Sequence, residues 1–130
     1  MFRGYALDIV TLLALLEYFV LGFMVGRARE TYGVQAPATT GNPDFERYFR
    51  VHANTLEALI VFIPALWIFS LAVNYHIGVA LGLLFVIARI IYARGYLSAA
   101  AKRGPGAIAT FIINTILVLG GLIWIVIKAL

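Results

Sequence analysis

Residues 52–96, HANTLEALIVFIPALWIFSLAVNYHIGVALGLLFVIARIIYARGY, decide how this chain folds. Two long apolar runs, 52–73 and 76–93, meet at Asn74-Tyr75-His76. No Asp, Glu, Lys or Arg stands between Glu57 and Arg89. A helix needs about 20 residues, with a range of roughly 17–25, to cross the hydrocarbon core of a bilayer. Backbone groups find no water there, so each run must satisfy its own hydrogen bonds as a helix. The polar tripeptide between the runs leaves room only for a tight antiparallel turn.

Outward from this hairpin lie two further apolar runs, 5–26 and 107–127. The expected fold is all-α: an integral membrane four-helix bundle, antiparallel and up-down, with residues 1–130 as one domain. The third span is short unless its helix continues towards Ala101. Asn42-Pro43-Asp44 predicts that the second helix starts before its apolar run, because it offers a capping side chain, a proline at the first helical position and an early acid. Residues 30–42 read as an ordered loop, and Gly104-Pro105-Gly106 as the break between helices three and four.

Composition supports this reading. Of 130 residues, 63% are hydrophobic and 12% charged, against about 45–50% and about 25% in ordinary soluble domains. There is no cysteine, so disulfides and a cysteine nucleophile are excluded. His52 and His76 lie on different segments without ligand-spaced partners, so no metal site is expected. The net charge of +4 points to topology and anionic head groups, since no basic run interleaved with aromatics suggests nucleic acid. A cleaved leader is not expected at residues 1–26: the apolar run exceeds the roughly 7–15 residues of a leader's core, and no small-x-small site follows.

Arginine and lysine predict the orientation. Loops one and three carry Arg27, Arg29, Arg47, Arg50, Arg94, Lys102 and Arg103, whereas the other side carries only Arg3 and Lys128. By the positive-inside rule, loops one and three face the cytoplasm and both termini face away.

Two polar stretches interrupt the apolar pattern at that cytoplasmic end. At about 100° per residue, Arg47, Arg50, Asn54 and Glu57 share one stripe of helix two, with His52 nearly opposite. On helix three, Arg89, Tyr92 and Tyr96 share a stripe, joined by Arg103 if the helix persists that far. Ionisable groups in such segments are costly and mark functional sites by default. Together the stripes offer guanidiniums for a carboxylate, an acid for an ammonium, an amide for a peptide bond, and phenols as donors and flat walls. That set suits a zwitterionic, peptide-like ligand. The plainer alternative is that Arg50 and Glu57 neutralise each other and Arg103 only anchors the chain at the membrane surface.

The run from Phe45 to Glu57 reads FERxxRxxxNxxE, and Ala88 to Tyr96 reads ARxxYxxGY, with Arg103 following seven residues later. This pair of motifs resembles the family of membrane-associated proteins in eicosanoid and glutathione metabolism (MAPEG), over nearly the whole chain. The resemblance implies a homotrimer that binds glutathione between subunits near the cytosol and acts as a glutathione transferase or peroxidase. It implies Arg29, Arg50, His52, Asn54, Glu57, Tyr92 and Tyr96 as glutathione-binding positions, and Arg103 as the arginine that holds the sulfur as thiolate. The partners implied are glutathione, a hydrophobic small-molecule substrate and the lipid bilayer. Two positions depart from the leukotriene-synthase branch: Glu30 stands where that branch has a second arginine, and Ala58 where it has a tyrosine. Both weigh against leukotriene C4 synthesis.

Two other readings compete. Some members of that family bind lipid without catalysis. The lone Glu17 in helix one could also serve a small proton-coupled multidrug exporter, or simply meet a polar or basic partner between helices, or stand as a protonated acid facing the core of the trimer. Asn114 and Thr115 read as interhelical hydrogen-bond partners, and Trp67 as a packing or lipid-facing aromatic.

Overall fold

The apolar runs are helical in the computed structural model, which describes residues 4–130. Helix α1 spans Ala6–Tyr32, α2 spans Pro43–Ala72 and α3 spans Tyr75–Ser98. The fourth span, Ala100–Ala129, comprises a 3-10 turn (Ala100–Arg103), α4 (Gly104–Thr115), a π-helical turn (Ile116–Gly120) and α5 (Gly121–Ala129). No strand occurs among the described residues. Arg3, counted above on the sparsely charged side, lies outside them.

Local chemistry sets the helix ends. Gly33 caps α1 with φ 70°, a left-handed conformation that costs glycine little. The Asn42 side chain accepts hydrogen bonds from the backbone N–H of Asp44 (2.9 Å) and Phe45 (3.0 Å), with Pro43 opening α2. Asn74 caps α3 by accepting from the Ile77 N–H at 2.9 Å, so the α2–α3 connection is as tight as its sequence predicts.

The end of α3 departs from expectation. The helix does not persist to Arg103. Ala99 is extended, with φ −164°, and the 3-10 turn doubles back until the Lys102 carbonyl lies against Gly95. Nor is Gly104-Pro105-Gly106 the break, which falls at Ala99. Proline is tolerated in a first helical turn, where the missing N–H would be unpaired anyway, and Pro105 sits there in α4. Gly106 packs directly on the Tyr92 backbone, where any Cβ would overlap main-chain atoms.

The core lies at the centre of the bundle. Phe62 and Phe85 stack with ring centroids 3.6 Å apart, among buried Val10, Leu66 and Leu117. Trp67 packs inward, its indole N–H donating to Thr11 Oγ1 at 2.9 Å. Large apolar side chains such as Phe19, Phe23, Leu71 and Phe111 point outward. An all-round apolar helix with an exposed apolar surface is the mark of a membrane span. Four helices are long and apolar enough to cross a bilayer, and the protein is an integral, multi-pass membrane protein.

Candidate functional site

The two polar stretches meet between α2 and α3. Asn54 Nδ2 donates to the Tyr92 hydroxyl at 2.7 Å, which joins the two motifs directly. Tyr92 is only 3% exposed. The guanidinium of Arg89 lies over its ring, 3.9 Å from the centroid, close enough for a cation–π attraction. Arg89 Nη2 also donates to Thr55 Oγ1 at 2.6 Å, so a single side chain from α3 braces both motifs from within. Beside Tyr92, the Tyr96 ring lies at 5.7 Å between centroids, and Arg103 approaches the Tyr96 face at 5.8 Å.

Arg103 reaches this group by a route its spacing does not give. It rides on the 3-10 turn rather than on α3, exposed, with Nη1 donating to the Ala100 carbonyl at 2.9 Å. The fold-back after Ser98 returns the guanidinium to Tyr96 even though the helix has ended.

The remaining candidates divide by face. Arg50 and Glu57 are exposed on α2, and no ion pair joins them among the described residues. The ion pair there is Arg47 with Asp44, while Arg47 Nε donates to the Leu97 carbonyl at 3.3 Å and ties α2 to the end of α3. His52 turns to the opposite side, as its angle on the helix predicts. Its ring stacks on Tyr18 of α1, 4.3 Å between centroids, against Gly22. Arg29, at the end of α1, holds loop one: Nη1 donates to the carbonyls of Ala38 (2.7 Å) and Val34 (3.4 Å), and the guanidinium lies over Phe45. The chain therefore brings together Asn54, Tyr92, Tyr96 and Arg103, and keeps Arg29 and His52 on its α1 side.

Two grooves flank Arg89. A cavity of about 560 Å³ opens between α2, α3 and α4, with Asn54, Arg89, Tyr92, Thr110, Asn114 and Thr115 as its polar lining. Asn114 Nδ2 donates across to the Ala58 carbonyl at 3.3 Å, an interhelical bond as expected, whereas Thr115 binds back to Phe111 within its own helix. An apolar cavity of about 480 Å³ continues along α2 past Val61, which borders both. On the other side of Arg89, a cavity of about 360 Å³ lies between α1 and α3, and Glu17 lines it together with Arg89. No ion pair joins the two among the described residues, so Glu17 shares a cavity with a basic group without contacting it. What spacing within one helix could not reveal is which charge shares that cavity, since the rotation of α1 against α3 decides it. The available signal was two opposite charges at comparable depth in two parallel helices.

Comparison with known proteins matches this architecture. The MAPEG family profile covers residues 7–123. The chain belongs to the MAPEG family. This MAPEG protein is 48% identical over 115 residues to an uncharacterised protein of Synechocystis, covering 88% of this chain and 84% of the other. It is 42% identical over 90 residues to human microsomal glutathione S-transferase 2, covering 69% of this chain and 60% of the other. Rat leukotriene C4 synthase is 35% identical over 94 residues, covering 72% and 63%. The match thus spans less than two thirds of the length of either mammalian enzyme. Within MAPEG, this protein sits among glutathione-related membrane enzymes at the level of the family.

Proposed function

We propose that the protein is a membrane glutathione transferase and peroxidase, which activates the glutathione thiolate for conjugation to apolar electrophiles or for reduction of lipid hydroperoxides. The observation that carries this reading is the Asn54–Tyr92 hydrogen bond. It sets an amide, two phenols and the Arg103 guanidinium side by side, next to a groove open to the bilayer. In this reading Arg50 grips a glutathione carboxylate, Glu57 its ammonium, and Asn54 and the tyrosines its peptide backbone.

Arg103 stabilises the sulfur as thiolate. Arginine stays protonated in a partly dry site, and a neighbouring cation lowers a thiol pKa from its ordinary ~8.5. The thiolate attacks an electrophilic carbon, and the leaving group departs with its electron pair. With a hydroperoxide, the sulfur attacks the terminal oxygen, and the alkoxide released takes up a proton to give the alcohol. A second glutathione then converts the oxidised thiol to disulfide and water.

The division of site residues by face supports a homotrimer. Asn54 and Tyr92 face α4, while Arg29 and His52 lie towards α1, so the latter pair meets the tripeptide from a neighbouring subunit. The charge asymmetry orients loops one and three to the cytosol, where glutathione is supplied.

Purified protein tests the reading in two steps. Glutathione should produce thiolate difference absorbance in the ultraviolet, and a generic aryl halide should then be conjugated. Binding of hydrophobic ligand without either signal would make this a lipid-binding member. Glutathione-independent cation transport in vesicles would make it an exporter.

A further inference from the structure

We propose that Glu17 is a positioning residue for the glutathione site, acting through Arg89; the proposal rests on the glutathione reading above. Arg89 is 4% exposed and belongs to a helix read as crossing the membrane. A buried guanidinium without a counter-charge is strongly destabilising. Glu17 is the one acid lining the cavity between α1 and α3, which is otherwise walled by apolar side chains with Arg94 at its edge. Within that wall, Glu17 Oε1 and Arg89 Nε are buried and have no hydrogen-bond partner among the described residues. No other side chain claims either atom, so charge attraction across the cavity is the interaction left to them.

The proposed coupling runs across three helices. The Glu17 carboxylate of α1 and the guanidinium of Arg89 of α3 line the same cavity. Arg89 donates to Thr55 of α2 and lies flat on Tyr92. Tyr92 accepts from Asn54, which this reading gives to the glutathione backbone. Arg89 is also the wall between the two cavities, because it lines both. With Glu17 ionised, the guanidinium is held towards α1 and its face stays on the Tyr92 ring. With Glu17 neutral, its charge is better placed towards the larger cavity and its polar lining, and Tyr92 and Asn54 move with it. Arg103 stands on a separate turn against Tyr96, so the sulfur chemistry is spared.

The test is Glu17→Gln, alone and in an Arg89→Met background. Glutathione affinity is measured by calorimetry, turnover at saturating glutathione, and the Tyr92 environment by fluorine NMR of fluorotyrosine-labelled protein, with Tyr92→Phe assigning the resonance. In the native background, Glu17→Gln should weaken glutathione binding by about five- to tenfold, within the range for directly coupled neighbours, leave turnover within about twofold, and shift the Tyr92 resonance. In the Arg89→Met background it should change none of these. Unaltered binding and resonance in Glu17→Gln would overturn the proposal, as would an equal loss in both backgrounds. If Glu17→Gln alone fails to fold, comparing Arg89→Met with the double variant still decides, because any difference in affinity or resonance between them contradicts action through Arg89. Absence of glutathione binding by the unaltered protein would instead refute the functional reading itself, and is separately visible.

Discussion

Tyr92 accepts a hydrogen bond from Asn54 while its ring supports Arg89, so a single phenol joins the amide of one motif to the guanidinium of the other. Substituting Tyr92→Phe keeps the ring and removes the acceptor. The Asn54 amide then loses the partner it has among the described residues, at a cost of about 1–3 kcal/mol where the group stays buried. Glutathione affinity measured by calorimetry should fall by roughly 5- to 150-fold, the factor that this energy range implies. The membrane bundle should remain folded.

Arg103 is exposed and packs on Tyr96 from outside the helices, so its removal should leave the core undisturbed. Arg103→Leu should lower turnover by at least about tenfold, equivalent to one unit of thiol pKa, with a much smaller change in glutathione affinity. The thiolate absorbance should fall in parallel. Equal turnover in variant and unaltered protein would remove Arg103 from sulfur activation.

Gly106 allows α4 to touch the main chain of Tyr92. Gly106→Val would force the helices apart, and overpacking of this kind costs about 1–3 kcal/mol. The expected outcome is a lower thermal midpoint in detergent, together with weaker glutathione binding, because Tyr92 is the residue displaced. A variant with unchanged melting would mean that the α3–α4 contact is looser than described.

The chain contains no cysteine, which gives a clean background for orientation. Single cysteines at Ser98 and at Asn74 should react with an impermeant thiol reagent from opposite sides of the membrane, Ser98 from the cytosolic face. Reaction of Ser98→Cys from the outside would invert the orientation read from the arginines and lysines.

The helices themselves were legible because their signals are local. Asn42-Pro43 and Asn74 carry the chemistry of a helix start, and lipid leaves an apolar run no alternative to a helix. The placement of His52 away from Asn54 also followed from angle alone. The end of α3 was not legible. Ser98 and Ala99 have no breaker residue, while Gly104-Pro105-Gly106 looks like one and is used as a first turn. The Arg89 network was legible only in part: spacing places Arg89 with Tyr92, but Thr55 and Glu17 belong to other helices. Rotation of one helix against another is settled by packing, as at Phe62 on Phe85, and no pattern within one helix records it. Loop one is a similar case, since Arg29 reads as a ligand-binding arginine and is found bonded to the carbonyls of Val34 and Ala38.

The π-helical turn at Ile116–Gly120 carries a consequence for divergence among related chains. Gaining or losing one residue there would swivel everything beyond Gly121 about its own axis while leaving Asn114 and the rest of α4 in register. The far half of this span is thus free to present a new set of side chains to its surroundings, and natural variation can accumulate there without disturbing the Asn54–Tyr92 contact at the other end.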